Sequence, residues 1–192
     1  METTLDSIRD VKLYQYKNGY RFSVDALLLY SFVNVKHAKN IIDFGAGSGI
    51  IGILLAKKYS SSKVFLVELQ ESLYRLAVKN IKLNALDERV KVMHADIKHI
   101  REKLQPMSFD IVVSNPPFRK PKSGRLNIEE EKAVARHEIK IRLPQIAESA
   151  SYLFKNRGRF FLIFHPERIL ELIETLRINR LEPKRIRFVH ND

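Results

Sequence analysis

From residue 40 onward the chain alternates short runs of β-branched and aliphatic residues with stretches of helical periodicity. That alternation restricts the fold more than any other feature of the sequence. Asn40–Phe44, Lys63–Val67, Val90–Met93, Phe109–Val113 and Arg159–His165 read as strands, and Lys184–Val189 as a sixth. Between them, Ile50–Lys58, Glu71–Asn84, Arg136–Lys155 and Glu167–Asn179 read as helices, the third bent near Pro144. Strands so uniformly apolar are buried on both faces, which predicts an α/β fold with a mostly parallel sheet and helices on both sides. Ligands of such sheets sit beyond the carboxyl ends of the strands, near the point where strand order reverses. The residues that follow each strand are therefore the functional candidates. All 192 residues read as one domain. Residues 36–192 form its core, and residues 1–35 form an extension of the same domain, with a helix over Ser23–Val33 for which Ser23 is the N-cap.

The first strand runs into Asp43-Phe44-Gly45-Ala46-Gly47-Ser48-Gly49. Alternate glycines allow a sharp turn and a close approach of backbone to ligand, and the helix that follows presents free N–H groups. The turn lacks the Lys-Ser/Thr pair of a P-loop, which argues against a nucleoside triphosphate. Gly47-Ser48-Gly49-Ile50-Ile51-Gly52 does satisfy a dinucleotide G-x-G-x-x-G, but two residues late. In the natural frame Ile50 takes the third glycine's place. Asp43 suits a cationic sulfonium better. Glu68, ending the second strand, suits the two hydroxyls of a ribose in either case, so a dinucleotide stays open. Asp96, beyond the third strand, is placed to accept from an adenine amine.

The fourth strand ends in Ser114-Asn115-Pro116-Pro117-Phe118. An exocyclic amine on a base is a poor nucleophile, because its lone pair is delocalised into the ring. The Asn115 side-chain oxygen and the Pro116 carbonyl can each accept one amine hydrogen, drawing the nitrogen toward tetrahedral geometry. The consecutive prolines stiffen the tip, and Phe118 can stack on a flipped-out base. No general base is required, since a methylated ammonium loses its proton to water.

Asp43-x-Gly45-x-Gly47-x-Gly49, Glu68, Asp96 and Asn115-Pro116-Pro117-Phe118 together resemble the Rossmann-like class I methyltransferases that modify planar amino groups, the small-domain group most of all. Gly19-Tyr20-Arg21-Phe22-Ser23-Val24-Asp25-Ala26-Leu27-Leu28-Leu29 and Ala135-Arg136-His137-Glu138 look like signatures of the valine-tRNA adenine-N6 methyltransferase family. The likeness runs from about Val11 to Val189, and it implies that the extension over residues 1–35 packs on the cofactor site, with Tyr20 to Asp25 beside the cofactor. It implies S-adenosylmethionine as cofactor, held by Asp43, Gly45, Ala46, Gly47, Gly49, Glu68, Leu69, Asp96, Ile97, Asn115 and Phe22. It also implies Asn115, Pro116, Pro117 and Phe118 as the catalytic tip, and the adenine 3′ of the anticodon as substrate. The class I sheet normally closes with a reversed hairpin, whereas this chain stops at Val189-His190-Asn191-Asp192. A C-terminally truncated hairpin is the expectation that follows.

A net charge of +12 predicts a polyanionic partner, tRNA on this reading, unless the lysines merely solubilise the surface. Arg119, Lys120, Lys122 and Arg136 are the candidate phosphate contacts; Lys184, Arg185 and Arg187 form a weaker patch. There is no cysteine, the six histidines lack ligand spacing, and no apolar run approaches the about 20 residues of a membrane span. No metal, no membrane contact and a cytoplasmic location are therefore expected; nothing fixes the oligomeric state. Guanine-N2 methylation of ribosomal RNA, glutamine-N5 methylation of a protein, and a catalytically silent RNA-binding protein on the same fold remain open beside the adenine reading.

Overall fold

The computed structural model describes residues 2–18, 21–116 and 143–190, and every statement below concerns those residues. The strands are β1 (Thr3–Ile8), β2 (Val11–Tyr16), β3 (Asn40–Phe44), β4 (Lys63–Glu68), β5 (Val90–His94), β6 (Phe109–Ser114) and β7 (Phe154–Leu162). The helices are α1 (Val24–Phe32), α2 (Ile50–Lys58), α3 (Glu71–Leu83), α4 (Leu143–Leu153) and α5 (Ile169–Ile178), with 3₁₀ turns at Ile97–Glu102 and Pro166–Arg168. Strands β3 to β7 form one parallel sheet in the order β5-β4-β3-β6-β7. Strand order reverses between β3 and β6, and the switch point lies there.

Period-two alternation sends successive strand residues to opposite faces. Ile41, Val64, Leu66, Ile111 and Val113 pack with α1, α2 and α3. Ile42, Phe44, Val67 and Val112 pack with Ile97, Ile100 and the Ile146, Ala150 and Leu153 side of α4. A sheet buried on both faces explains why its strands read as continuous apolar runs. At the amino edge the Asp110 carboxylate accepts from the backbone of Lys39 and Asn40, both at 2.8 Å, and from Lys155 Nζ at 2.9 Å. Burial raises its carboxyl, but these donors outweigh that and hold it below the ordinary value.

Three elements differ from the sequence expectations. β1 and β2 form an antiparallel hairpin that the periodicity did not reveal. β7 begins at Phe154 rather than Arg159, because Arg157 (φ +70°) and Gly158 absorb a bulge opposite Phe109–Ile111. Lys184–Val189 is not a strand. No described strand runs beside it, and side chains hold it instead: the Arg185 guanidinium donates to the Phe32 carbonyl at 2.6 Å and lies 4.2 Å from the centre of the Phe32 ring. Ile186, Phe188 and Val189 are each more than half exposed. The described part of α4 starts at Leu143, so the bend expected near Pro144 lies at the margin of the described residues.

Candidate active site

The site is built from the carboxyl tips of the central strands. Phe44 pairs with Val67 on one side and with Ser114 on the other, and Glu68 pairs with His94. Neighbouring strands lie about 4.8 Å apart, so Gly45, Glu68 and Asn115 leave the sheet side by side. Ser114 Oγ donates to the Phe44 carbonyl at 3.0 Å and locks the β3–β6 tips together. Asn115 is half-buried between the buried Ser114 and Pro116, so it has not been drawn into the core.

The glycine turn has the conformation its composition demands. Gly45, Gly47 and Gly49 have φ of +70°, +57° and +90°, a region that costs other residues roughly 1–2 kcal/mol. The turn leans on β4, because the Gly45 and Ala46 N–H groups donate to the Val67 carbonyl at 2.9 and 3.1 Å. A Cβ on Gly49 would sit 3.0 Å from Leu66, and one on Gly52 only 2.7 Å from it. Gly52, incidental in the sequence reading, thus lets α2 press onto β4, and its N–H donates to Asp43 Oδ2 at 3.1 Å.

Glu68 braces the turn: Oε2 accepts from the Gly47 N–H and Oε1 from the Gln70 N–H, both at 2.8 Å. Each carboxylate oxygen keeps a second lone pair for a ligand hydroxyl. Leu69, which follows, is half-buried, and its carbonyl meets His94 Nε2 at 2.9 Å. Asp96 caps the 3₁₀ turn by accepting from the Lys98 N–H at 2.9 Å. The Ile97 side chain is 2% exposed and belongs to the core, so only its backbone remains for a ligand. Phe22 is half-buried against the α1–α3 side of the sheet, with its N–H held by Gln15 Oε1 at 2.9 Å.

Two buried side-chain oxygens among the described residues have no hydrogen-bond partner, Asp43 Oδ1 and Ser48 Oγ, and both belong to this turn. An unmet buried polar group costs about 1–3 kcal/mol. Burial pushes the Asp43 carboxyl up to about 7; the Gly52 N–H opposes that rise and the Glu68 charge adds to it. A turn with a buried acid beneath it, one of whose oxygens lacks a partner, and two further acids at the neighbouring tips suits a cationic, hydroxyl-bearing ligand such as S-adenosylmethionine. It suits the pyrophosphate of a dinucleotide poorly. A separate groove of about 500 Å³ lies between the hairpin and α3, lined by Tyr16, Ser72, Arg75 and Lys79; none of the strand-tip acids borders it.

Pro117, Phe118, Arg119, Lys120, Lys122 and Arg136 lie outside the described residues, as do Gly19 and Tyr20 of the N-terminal motif. Sequence reasoning missed Asn80 of α3 and Asn84, the C-cap of that helix. Asn80 falls three residues after Ala77 and four after Leu76, inside the apolar stripe of that helix, and a polar residue there was the available signal.

Sheet order, glycine turn and strand-tip acids together define a methyltransferase domain of the S-adenosylmethionine-dependent class. Among solved structures, P. horikoshii TYW2 in complex with MeSAdo superposes with a TM-score of 0.66 at 19% identity, over 93% of this chain and 60% of that one. An SAM-dependent O-methyltransferase from Thermotoga maritima superposes with a TM-score of 0.60 at 22% identity, over 84% and 52%. The chain belongs to the methyltransferase small domain family, which matches residues 22–140. It is similar to proteins named tRNA1(Val) (adenine(37)-N6)-methyltransferase. The one from Pedobacter heparinus is 28% identical over 172 residues, 90% of this chain and 71% of that protein. The one from Haemophilus influenzae strain PittGG is 30% identical over 156 residues, 81% and 66%. The chain thus spans about two thirds of the length of these relatives.

Proposed function

We propose that the protein methylates the exocyclic N6 amine of an adenine in tRNA, the adenine 3′ of the anticodon of valine tRNA, with S-adenosylmethionine as methyl donor. The observation that carries this reading is the pairing of Phe44 with Ser114, which starts Asn115 beside the glycine turn; the names of the relatives supply the substrate. When bound, the cofactor supplies an electrophilic methyl on a sulfonium. Asp43, Gly45, Ala46, Gly47, Gly49, Glu68, Leu69, Asp96, the Ile97 backbone and Phe22 line its pocket. The Asn115 amide oxygen and the Pro116 carbonyl accept the two amine hydrogens and aim the nitrogen lone pair. Pro117 stiffens the tip, Phe118 stacks on the base, and Arg119, Lys120, Lys122 and Arg136 hold flanking phosphates. Methyl transfer would form the N–C bond at the expense of the sulfonium S–C bond, and the surplus amine proton would pass to water. Asn115 does not titrate, which suits a group that only orients. No described helix is long and apolar enough to cross a membrane, and a tRNA substrate accords with a cytoplasmic location.

The test is methyl transfer to unmodified total tRNA, read by nucleoside mass spectrometry. N6-methyladenosine is the expected product. Asn115→Ala should lower turnover by about 100-fold, with a much smaller loss of cofactor affinity, since Asn115 is one of several residues bordering the cofactor. Appearance of N2-methylguanosine in RNA, or of label in protein, would move the assignment to a guanine or glutamine acceptor. Absence of cofactor binding would leave a silent RNA-binding protein.

A further inference from the structure

The hairpin β1–β2 lies outside the parallel sheet, yet it is bonded to the glycine turn through one side chain. Asn80 is 0% exposed and uses its whole amide. Its Oδ1 accepts from the Tyr14 N–H at 2.7 Å, and its Nδ2 donates to the Tyr14 carbonyl at 3.0 Å and to the Ser48 carbonyl at 2.9 Å. One helical turn later Asn84 repeats the first half of this pattern: Oδ1 accepts from the Lys12 N–H at 3.1 Å and Nδ2 donates to the Lys12 carbonyl at 2.7 Å. Side chains four apart on a helix lie about 6 Å apart along its axis, and alternate strand residues are separated by about 6.7 Å. The two amides therefore act as a surrogate strand along the backbone of β2, and only Asn80 continues into the turn.

From β2 the connection goes on to the segment beside the cofactor. Gln15, next to Tyr14 and 2% exposed, accepts from the Phe22 N–H at 2.9 Å and donates to Asp6, which also holds Arg21 in an ion pair at 2.9 Å. The Ser48 carbonyl belongs to the residue whose hydroxyl is orphaned, in the turn that carries Asp43. A continuous series of hydrogen bonds thus joins the turn through Asn80 to Tyr14, and Gln15 beside it joins Phe22, without passing through the sheet.

We propose that Asn80 is a positioning residue that couples the glycine turn to the N-terminal hairpin, so that filling the cofactor site steadies Tyr14, Gln15 and Phe22, and a steadied hairpin tightens cofactor binding. Linkage makes the coupling reciprocal. The inference rests on the cofactor reading of the turn. Asn84, which ties the same hairpin without touching the turn, is the internal control.

Calorimetry and amide hydrogen exchange on the full chain, with and without S-adenosylhomocysteine, test the coupling. In the wild type, saturating ligand should slow exchange in peptides spanning both Gly45–Gly52 and Val11–Phe22. Asn80→Asp keeps the acceptor but removes both donated bonds. It should weaken ligand binding about tenfold and confine the slowing to the turn peptide. Asn84→Ala should lower the melting temperature yet keep ligand affinity within about twofold and slowing in both peptides. A purely structural tether would make the two variants alike. Wild-type protein that binds the ligand but slows only the turn peptide overturns the coupling, even if Asn80→Asp fails to fold. Equal loss of affinity in both variants overturns it too. A wild type that does not bind the ligand overturns the cofactor reading itself.

Discussion

Asp43 holds its proton more tightly in the folded protein than in the unfolded chain. Its ordinary value is 3.8, and burial lifts it to about 7. Between those values the folded state binds a proton the unfolded state has released. Free protein therefore loses stability from this group as pH rises through that window, and the full penalty is present above it. A bound cation favours the carboxylate, so cofactor binding should expel a proton below about pH 7, and affinity should rise by about tenfold or more between about pH 5.5 and about pH 8. Asp43→Asn should remove this group's share of the fall in melting temperature and flatten the affinity profile at a weaker level. Thermal scans and calorimetric titrations at several pH values measure both. A wild-type affinity independent of pH would contradict the assignment. The acids of the site were legible because each stands at the end of an apolar run. Asn80 was not, because a buried asparagine inside a helix carries no motif, and its partners at Tyr14 and Ser48 are far away in sequence.

The glycine turn was read correctly as an element because its glycines are forced by backbone geometry and by contact with Leu66, and both requirements leave a trace in the sequence. Gly49→Ala would place a Cβ at φ +90° and 3.0 Å from Leu66. Strain of roughly 1–2 kcal/mol corresponds to a fall in melting temperature of about 2–8 °C for a domain of this size. Cofactor affinity should fall with it, since the turn must shift to accommodate the methyl. A variant as stable and as tightly binding as the wild type would show that the turn is looser than described. The β1–β2 hairpin escaped the sequence reading for a local reason. Its connection is Arg9-Asp10, with Arg9 at φ +55°, where the recognisable signals are Asn-Gly or Asp-Gly. The alternation of Val11-Lys12-Leu13-Tyr14 was present but lacked a turn signal to frame it. Lys184–Val189 misled in the opposite direction. Its β-branched and aromatic residues satisfy strand propensity, but a strand exists only where a partner completes its hydrogen bonds, and among the described residues none does.

Across the whole molecule, a net charge of +12 favours a polyanionic partner and sets the salt dependence expected of the proposed tRNA binding. Each phosphate neutralised adds about −0.7 to −0.9 to the slope of log affinity against log salt. The four proposed phosphate contacts, Arg119, Lys120, Lys122 and Arg136, predict a slope of about −3. Reversing Arg119, Lys120 and Lys122 to Glu should flatten it by about 2 and weaken tRNA binding without changing cofactor affinity, as filter binding over a salt series would measure. Unchanged affinity at low salt would place the RNA surface elsewhere. The strand order carries a further consequence, for synthesis. Phe44 and Ser114, whose backbones meet at the centre of the sheet, are 70 residues apart in the chain. At about 5–20 residues per second, several seconds pass on the ribosome between the two. During that interval β3, β4 and β5 can assemble, but β3 presents its other side unpaired, and an uncovered strand edge of this kind recruits foreign chains. The nascent protein is thus most exposed to misassembly just before β6 emerges, and the closing of that one seam both protects it and delivers Asn115.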